Sequence, residues 1–156
     1  MPDILVGTTV KAADFPASVW SQDDTNINDI TSTSFIPGSP VVAVTFTAPT
    51  SGRVLMFVGG GAMANTGDNR LFMAANVFLG TDATGTEVLS SSVGFTGCGW
   101  SLASTDFYFQ TRMFHLPNLI PGATYYARVT YSVTTSGATD GRCDITCREI
   151  GVVPVS

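Results

Sequence analysis

The sequence predicts an all-β chain: an antiparallel β-sandwich of jelly-roll type over residues 31–156, preceded by an irregular N-terminal arm over residues 1–30. Three observations predict it. Tyr125, Ala127, Val129, Tyr131 and Val133 alternate with Tyr126, Arg128, Thr130 and Ser132, which is the two-residue period of a strand with one core face and one wet face. Apolar runs of this kind recur roughly every 8–15 residues between Pro- and Gly-rich turns, the layout of a sandwich. No segment carries a 3.6-residue apolar period between capping residues, so little helix is expected.

In the arm, Ile4-Leu-Val6 is apolar enough to pair as a short strand. Phe15, Val19 and Trp20 are isolated anchors, and Ser21 to Asp29 is polar and turn-rich. Such a segment drapes over its own domain or reaches a neighbour. Thr31 to Ile36 reads as a short strand ended by Pro37-Gly-Ser-Pro40, and Val41 to Ala48 as the next. Pro49-Thr-Ser-Gly52 is a turn, because Pro presets φ and Gly accepts positive φ, and Arg53 to Val58 then closes a hairpin.

Gly59-Gly-Gly61 interrupts the pattern, and Asn65 to Asn69 is a polar loop tip. Leu71 to Leu79 is apolar on both faces, as expected of a strand buried on both sides or one whose outer face meets a subunit. Gly80 to Gly85 turns the chain into a strand from Glu87 to Phe95, and a loop holding Cys98 and Trp100 leads to the long strand that starts at Phe107. That strand and Tyr125–Val133 form a hairpin around Pro117–Thr124. Arg142 to Val153 puts Cys143, Ile145 and Cys147 on one face and then switches to Ile150 and Val152, as a β-bulge produces.

Leu119-Ile-Pro-Gly-Ala-Thr-Tyr125 resembles the corner of fibronectin type III domains, where a Tyr hydroxyl bonds back to the preceding loop and fixes the turn between sheets. The resemblance makes Pro121, Gly122 and Tyr125 a fold corner. The chain departs from that family in its length and in having Phe46 where an early-strand tryptophan stands.

Composition narrows the function. A chain of 156 residues is one domain and buries about 70% of the surface its unfolded form exposes, so it needs no staples. Charged residues are only 12%, about half the usual share, so solubility rests on hydroxyls or on partners that cover the surface. Net charge is −5, with one lysine, Lys11, and scattered arginines. No basic stripe is available for phosphates and no polybasic run for lipid headgroups, so neither nucleic acid nor membrane is an expected partner. Neither a secretion signal nor a membrane-spanning run is read from the sequence.

Cys143 and Cys147 lie about 13 Å apart along one strand, too far to bridge within it, and read as small buried hydrophobes. Cys98, in Gly97-Cys-Gly-Trp100, is the cysteine expected to be exposed.

Catalysis would centre on His115, the single histidine, with Asp106 or Cys98 brought beside it by the fold. A lone His ending an aromatic strand reads better as a packed or interfacial residue, so no enzyme is expected. The cysteine spacing lacks the close turn of a zinc knuckle, and Asp23, Asp24, Asn26, Asn28 and Asp29 lack the Gly and Glu of an EF-hand. No metal or cofactor is therefore expected, and the acidic segment reads as a solvated loop. Gly59–Gly61 has neither phosphate-loop spacing nor a following helix, and reads as a strand kink or a close backbone contact.

Val44-Thr-Phe-Thr-Ala-Pro-Thr-Ser-Gly-Arg-Val54, Asn76-Val-Phe-Leu-Gly80 with Gly85-Thr-Glu-Val88, and His115-Leu-Pro-Asn-Leu-Ile-Pro-Gly-Ala-Thr-Tyr-Tyr-Ala-Arg-Val129 resemble small structural proteins encoded by phages of actinobacteria. Those proteins are similar in strand layout to the jelly roll of tumour necrosis factor and the complement globular head. The resemblance implies a non-enzymatic virion component assembled in the host cytoplasm, either a capsid decoration protein on the major capsid protein or a minor tail protein. It also implies a homotrimer. Aromatic anchors dominate such interfaces, which makes Phe72, Phe78, Tyr108, Phe114 and Tyr126 candidate subunit contacts. The alternative is a module for carbohydrate or a host receptor on the same fold, with Trp100 or Trp20 stacking on a cell-surface glycan.

Overall fold

The computed structural model describes residues 15–64, 70–101, 104–134 and 143–155. Among them are ten strands and no helix: β1 (Val19–Asp23), β2 (Ile36–Pro37), β3 (Ala43–Thr47), β4 (Arg53–Ala64), β5 (Leu71–Leu79), β6 (Thr86–Leu89), β7 (Gly97–Trp100), β8 (Tyr108–Leu116), β9 (Thr124–Val133) and β10 (Cys143–Val155). Their pairing is nested. β1 pairs with β10, β2 and β3 with β9, β4 with β8, and β5 with β6 and β7, all antiparallel. The chain is thus one long antiparallel ribbon doubled back at the turn after β5.

Contacts of β10 with β4 and of β5 with β9 wind that ribbon into two sheets. Sheet A runs β1-β10-β4-β8; sheet B runs from β2 and β3 through β9 and β5 to β6 and β7. This is the predicted jelly roll.

The alternation in sequence chooses the buried faces. Val54, Met56 and Val58 of β4 face Leu71, Met73, Ala75 and Val77 of β5 across the sandwich, all fully buried. The five alternating residues of β9, Tyr125 to Val133, complete the floor. Burial of each large side chain is worth roughly 1.5–3 kcal/mol, which is what holds the sheets together.

The bulge expected near Cys147 is present: register shifts between Thr146 and Glu149, so Cys147 and Arg148 both stand opposite Gly60. Cys147 there takes a φ of 48°.

Several expectations are corrected. The reading of residues 1–30 as an irregular arm fails from Val19 onward. β1 pairs along its length with β10, and Ile27 bridges Ile145, so this segment is the outermost strand of the ribbon. Its period was hidden because Val19 is the one apolar residue among Val19, Ser21 and Asp23, which turn inward. Ile4–Val6, the rest of the arm before Phe15, and the Asn65–Asn69 loop tip lie outside the described residues.

Thr31–Ile36 shrinks to the two-residue β2, and Glu87–Phe95 to β6, while the supposed loop with Cys98 and Trp100 is the strand β7. β3 and β4 are not a hairpin, and neither are β8 and β9, because each pair is split between the two sheets. Gly59–Gly61 does not interrupt β4, which runs on to Ala64.

The second apolar face of β5, and the supposedly wet face of β9, are covered from within the chain. The segment between β6 and β7 folds across them. The Asn76 amide donates to Leu89 O at 3.0 Å, the Ala75 N–H donates to Thr96 O at 3.2 Å, and the Ser91 and Thr130 hydroxyls meet at 2.6 Å. Thr130 and Ser132 are buried as a result.

Candidate functional site

The outer face of sheet A is where apolar side chains meet solvent. Because Val54, Met56 and Val58 point inward, Leu55 and Phe57 point outward, and the pairing extends their rows across the sheet. One row runs Trp20, Gly151, Phe57, Met113 over all four strands. Trp20 is 54% and Met113 65% exposed. Val153 and Phe109 extend the patch towards the two ends of the sheet, the former half-exposed and the latter as open as Met113. Scattered surface hydrophobes need no explanation, but a contiguous patch of aromatic and aliphatic groups marks an interaction surface.

Glycines shape this face. The Phe57 ring occupies the space that a Cβ on Gly151 would take, and a Cβ on Gly61 would lie 2.8 Å from the Phe109 ring. A Cβ on Gly59 would lie 2.5 Å from Thr111 Oγ1, and that hydroxyl donates to Glu149 Oε1 at 2.8 Å across the empty position. The glycine run therefore serves close contact, one of its two expected readings, by letting the β8 side chains Phe109 and Thr111 lie against the β4 backbone. β4 runs through it unbroken.

β8 is exposed along most of its length. Its outward residues Phe109, Thr111, Met113 and His115 are exposed, and so are Tyr108, Gln110 and Arg112 on the side that should face sheet B. Only Phe114 and Leu116, at its C-terminal end, turn into the interior.

The candidate subunit contacts are scattered. Phe78 is buried in its own chain with the Arg128 guanidinium 5.1 Å from its ring centroid. Phe72 and Tyr126 are half-buried on the outer side of sheet B, Phe114 packs against the core, and Tyr108 is exposed on β8. None of the five belongs to the outer row of sheet A. A single-residue choice of phase on β8 decides between Tyr108 with Phe114 and Phe109 with Met113, and the sequence shows apolar groups on both. The signal for the outer face was in β4, where Leu55 and Phe57 interleave with Val54, Met56 and Val58.

The fold corner is as read. Tyr125 is buried, its ring stacks on Phe46 at 5.6 Å, and its hydroxyl accepts the Ile120 N–H at 2.8 Å. Gly122 takes a φ of 77°, and its N–H donates to Ala48 O at 2.9 Å, so Pro121-Gly122 pins the crossing between sheets against the end of β3.

Trp100 is not a ligand-binding loop residue. It is 1% exposed and donates its indole N–H to Tyr108 O at 2.7 Å, so no ring face is open to a sugar. Cys98 is likewise buried rather than exposed, because Gly97 and Gly99 let β7 lie tight on β5. Burial pushes its thiol up to about 12, only partly offset by a backbone hydrogen bond and by Arg112, which removes thiolate reactivity at neutral pH. Cys147, expected to be buried, is exposed because the bulge turns it outward. His115 is exposed on the outer face opposite Leu55.

The acidic segment keeps Asp24, Asn26, Asn28 and Asp29 exposed, as a solvated loop does, but it is tied to the domain at two points. Asp23 pairs with buried Arg148 at 2.7 Å, and the Asp29 N–H donates to Asp144 Oδ1 at 2.8 Å. Among the described residues no group of three or more His, Cys, Asp or Glu side chains is placed to hold a metal ion. A cleft of about 450 Å³ between the start of β1 and β3 is lined by Phe15, Pro16, Val19, Phe46 and threonines, without a titratable group.

No protein-family model matches the chain, and no curated protein does. Solved structures do. The infectious bursal disease virus Gx strain superposes with a TM-score of 0.49 at 13% identity, over 97% of this chain and 36% of that one. A mutant VP2 protein of the same virus, from derived T=1 particles, gives 0.48 at 18% identity over the same shares. The enzymatically active domain of bacteriophage CBA120 tailspike protein 4 gives 0.38 at 17% identity, over 87% of this chain and 19% of that one. The chain spans about a third of the length of the virus proteins it matches. At this level of likeness no residue role and no activity carries across.

Proposed function

We propose that the protein is a non-enzymatic structural component of a virion: a homotrimeric capsid decoration protein that attaches to the particle through its own subunits and the major capsid protein. The observation that carries this reading is the outer face of sheet A, where the Trp20–Phe57–Met113 row presents aromatic and aliphatic surface across all four strands. Burying such a row is worth far more than the few surface charged contacts available to a chain with 12% charged residues. The turn-and-strand resemblance to phage structural proteins supplies the kind of particle. In the trimer this face, rather than the outer side of sheet B, packs around the threefold axis.

A labelled subunit imaged on particles tests the location, with light scattering on the purified chain testing the assembly. Decoration of the head at sites of threefold symmetry and a mass of three chains or a multiple of three are expected. A monomer at micromolar concentration together with unlabelled particles sinks the reading. Label on the tail would make it a minor tail protein instead. The glycan-binding alternative has lost Trp100 and rests on Trp20 alone, exposed beside Asp23 and Asp24; binding on a glycan array, abolished by Trp20→Ala, would favour it.

A further inference from the structure

We infer that β8 is a self-complementary edge strand that pairs antiparallel with β8 of a second copy across a twofold axis through Thr111. The inference deepens the assembly reading by naming a second contact, distinct from the outer face. It begins with the edges of the two sheets. Sandwiches protect edges with short strands, prolines, lysines or bulges. Here β1 and β3 have five residues, β6 and β7 four, and β2 two, one of them Pro37. β8 has nine residues in unbroken register with β4, and no strand among the described residues pairs with its other side. It contains no proline, lysine or bulge, its one charge is Arg112 on the side towards sheet B, and Tyr108 to Met113 are exposed on both faces. Among the described residues it is the longest edge strand left with an unpaired side, and it carries the exposed apolar groups Tyr108, Phe109 and Met113.

The residues say what adds to it. Directly opposite residues of an antiparallel pair point to the same face, so the axis relating two copies must pass through a residue. About Thr111 the segment Tyr108-Phe-Gln-Thr-Arg-Met-Phe114 reads alike in both directions by chemical class. Phe109 meets Met113, Tyr108 meets Phe114, Gln110 meets Arg112, and Thr111 meets its own copy. Centred on Arg112 the pairing would set two guanidinium groups against each other and Gln110 against Phe114. Centred on Gln110 it would set Thr111 against Phe109 and Arg112 against Tyr108. Only the Thr111 register joins apolar with apolar and polar with polar throughout. It also continues the outer apolar row, since the partner's Phe109 lands next to Met113 at the end of the row from Trp20. The result is one eight-stranded sheet made of two sheets A.

Cysteine cross-linking in a Cys147→Ser background tests the register, because Cys147 is the exposed native thiol. Thr111→Cys should form a disulfide-linked dimer on mild oxidation. Met113→Cys should not, since two copies of residue 113 would stand about 13 Å apart. Adding Gln110→Lys to Thr111→Cys sets a lysine against Arg112 and should cut the dimer yield about tenfold; adding Arg112→Glu as well should restore it. These positions are exposed, and far-UV spectra matching the parent verify the fold of each variant. A folded Thr111→Cys variant without dimer, equal cross-linking of Met113→Cys, or yields indifferent to the charge changes overturns the inference. Cross-linking of purified protein alongside particles that lack the subunit would sink the virion reading and leave the β8 contact standing.

Discussion

The Arg148 guanidinium, 1% exposed, meets the Asp23 carboxylate at 2.7 Å and so ties the outermost strand of the ribbon to the last one. A second guanidinium nitrogen donates to Pro40 O at 2.8 Å, and the absence of a Cβ at Gly38 leaves room for it. The bulge makes this possible, since without the extra residue at Cys147 the register with β4 would carry Arg148 to another position. Removing the partly exposed Asp23 carboxylate leaves the buried Arg148 cation uncompensated, whereas replacing the cation with an apolar group of similar size removes its desolvation cost as well. Asp23→Asn should therefore lower Tm by roughly 3–5 °C, and Arg148→Met by clearly less, as thermal unfolding followed by circular dichroism would measure. Equal losses would refute this account of the pair.

The same pair predicts an acid limb. Burial works to raise the Asp23 carboxyl, but hydrogen bonds from Thr25 and the Arg148 guanidinium outweigh it, and the group lies below its ordinary value of 3.8. A carboxylate with a lowered folded pKa binds its proton more readily when unfolded, so its contribution is complete above the unfolded value and is lost as pH falls through the folded one. Stability should be level from neutral pH down to about 5 and fall below about 4, with Asp23→Asn reducing the slope of that fall. Tm measured from pH 2 to 7 checks it.

Tyr125 should behave as a corner and not merely as core. Tyr125→Phe keeps the stack on Phe46 and deletes the acceptor for the Ile120 N–H. The expected loss is about 1–2 kcal/mol, read as a lower urea midpoint at unchanged m-value.

The three cysteines should separate by reactivity. Cys147 is exposed, while Cys98 and Cys143 are buried and have thiols raised by that burial. Titration with a thiol reagent at pH 8 should label one thiol per native chain and three after denaturation. Rapid labelling of a second thiol in the native protein would contradict the close packing of β7 on β5.

The sequence by itself determined what depends on neighbours along the chain. The period of two in β9 marked its buried face, the Leu119–Tyr125 spacing placed the corner, and the switch from Cys143 and Ile145 to Ile150 and Val152 announced the bulge. Each is a local pattern with a local cause. Tertiary structure decided everything that depends on which strand comes to lie beside which. β1 is a strand because β10 is there to pair with it. Trp100 and Cys98 are buried because β7 joins β5, and the outer side of β5 is dry because the chain after β6 folds across it. The exposed apolar face followed the same rule: Trp20, Phe57 and Met113 lie far apart in sequence, and only the registers of β1, β10, β4 and β8 bring them into one row. Side-chain alternation tells which residues share a face of one strand, while the partner strand, set by the nested winding of the ribbon, tells whether that face meets core, chain or solvent.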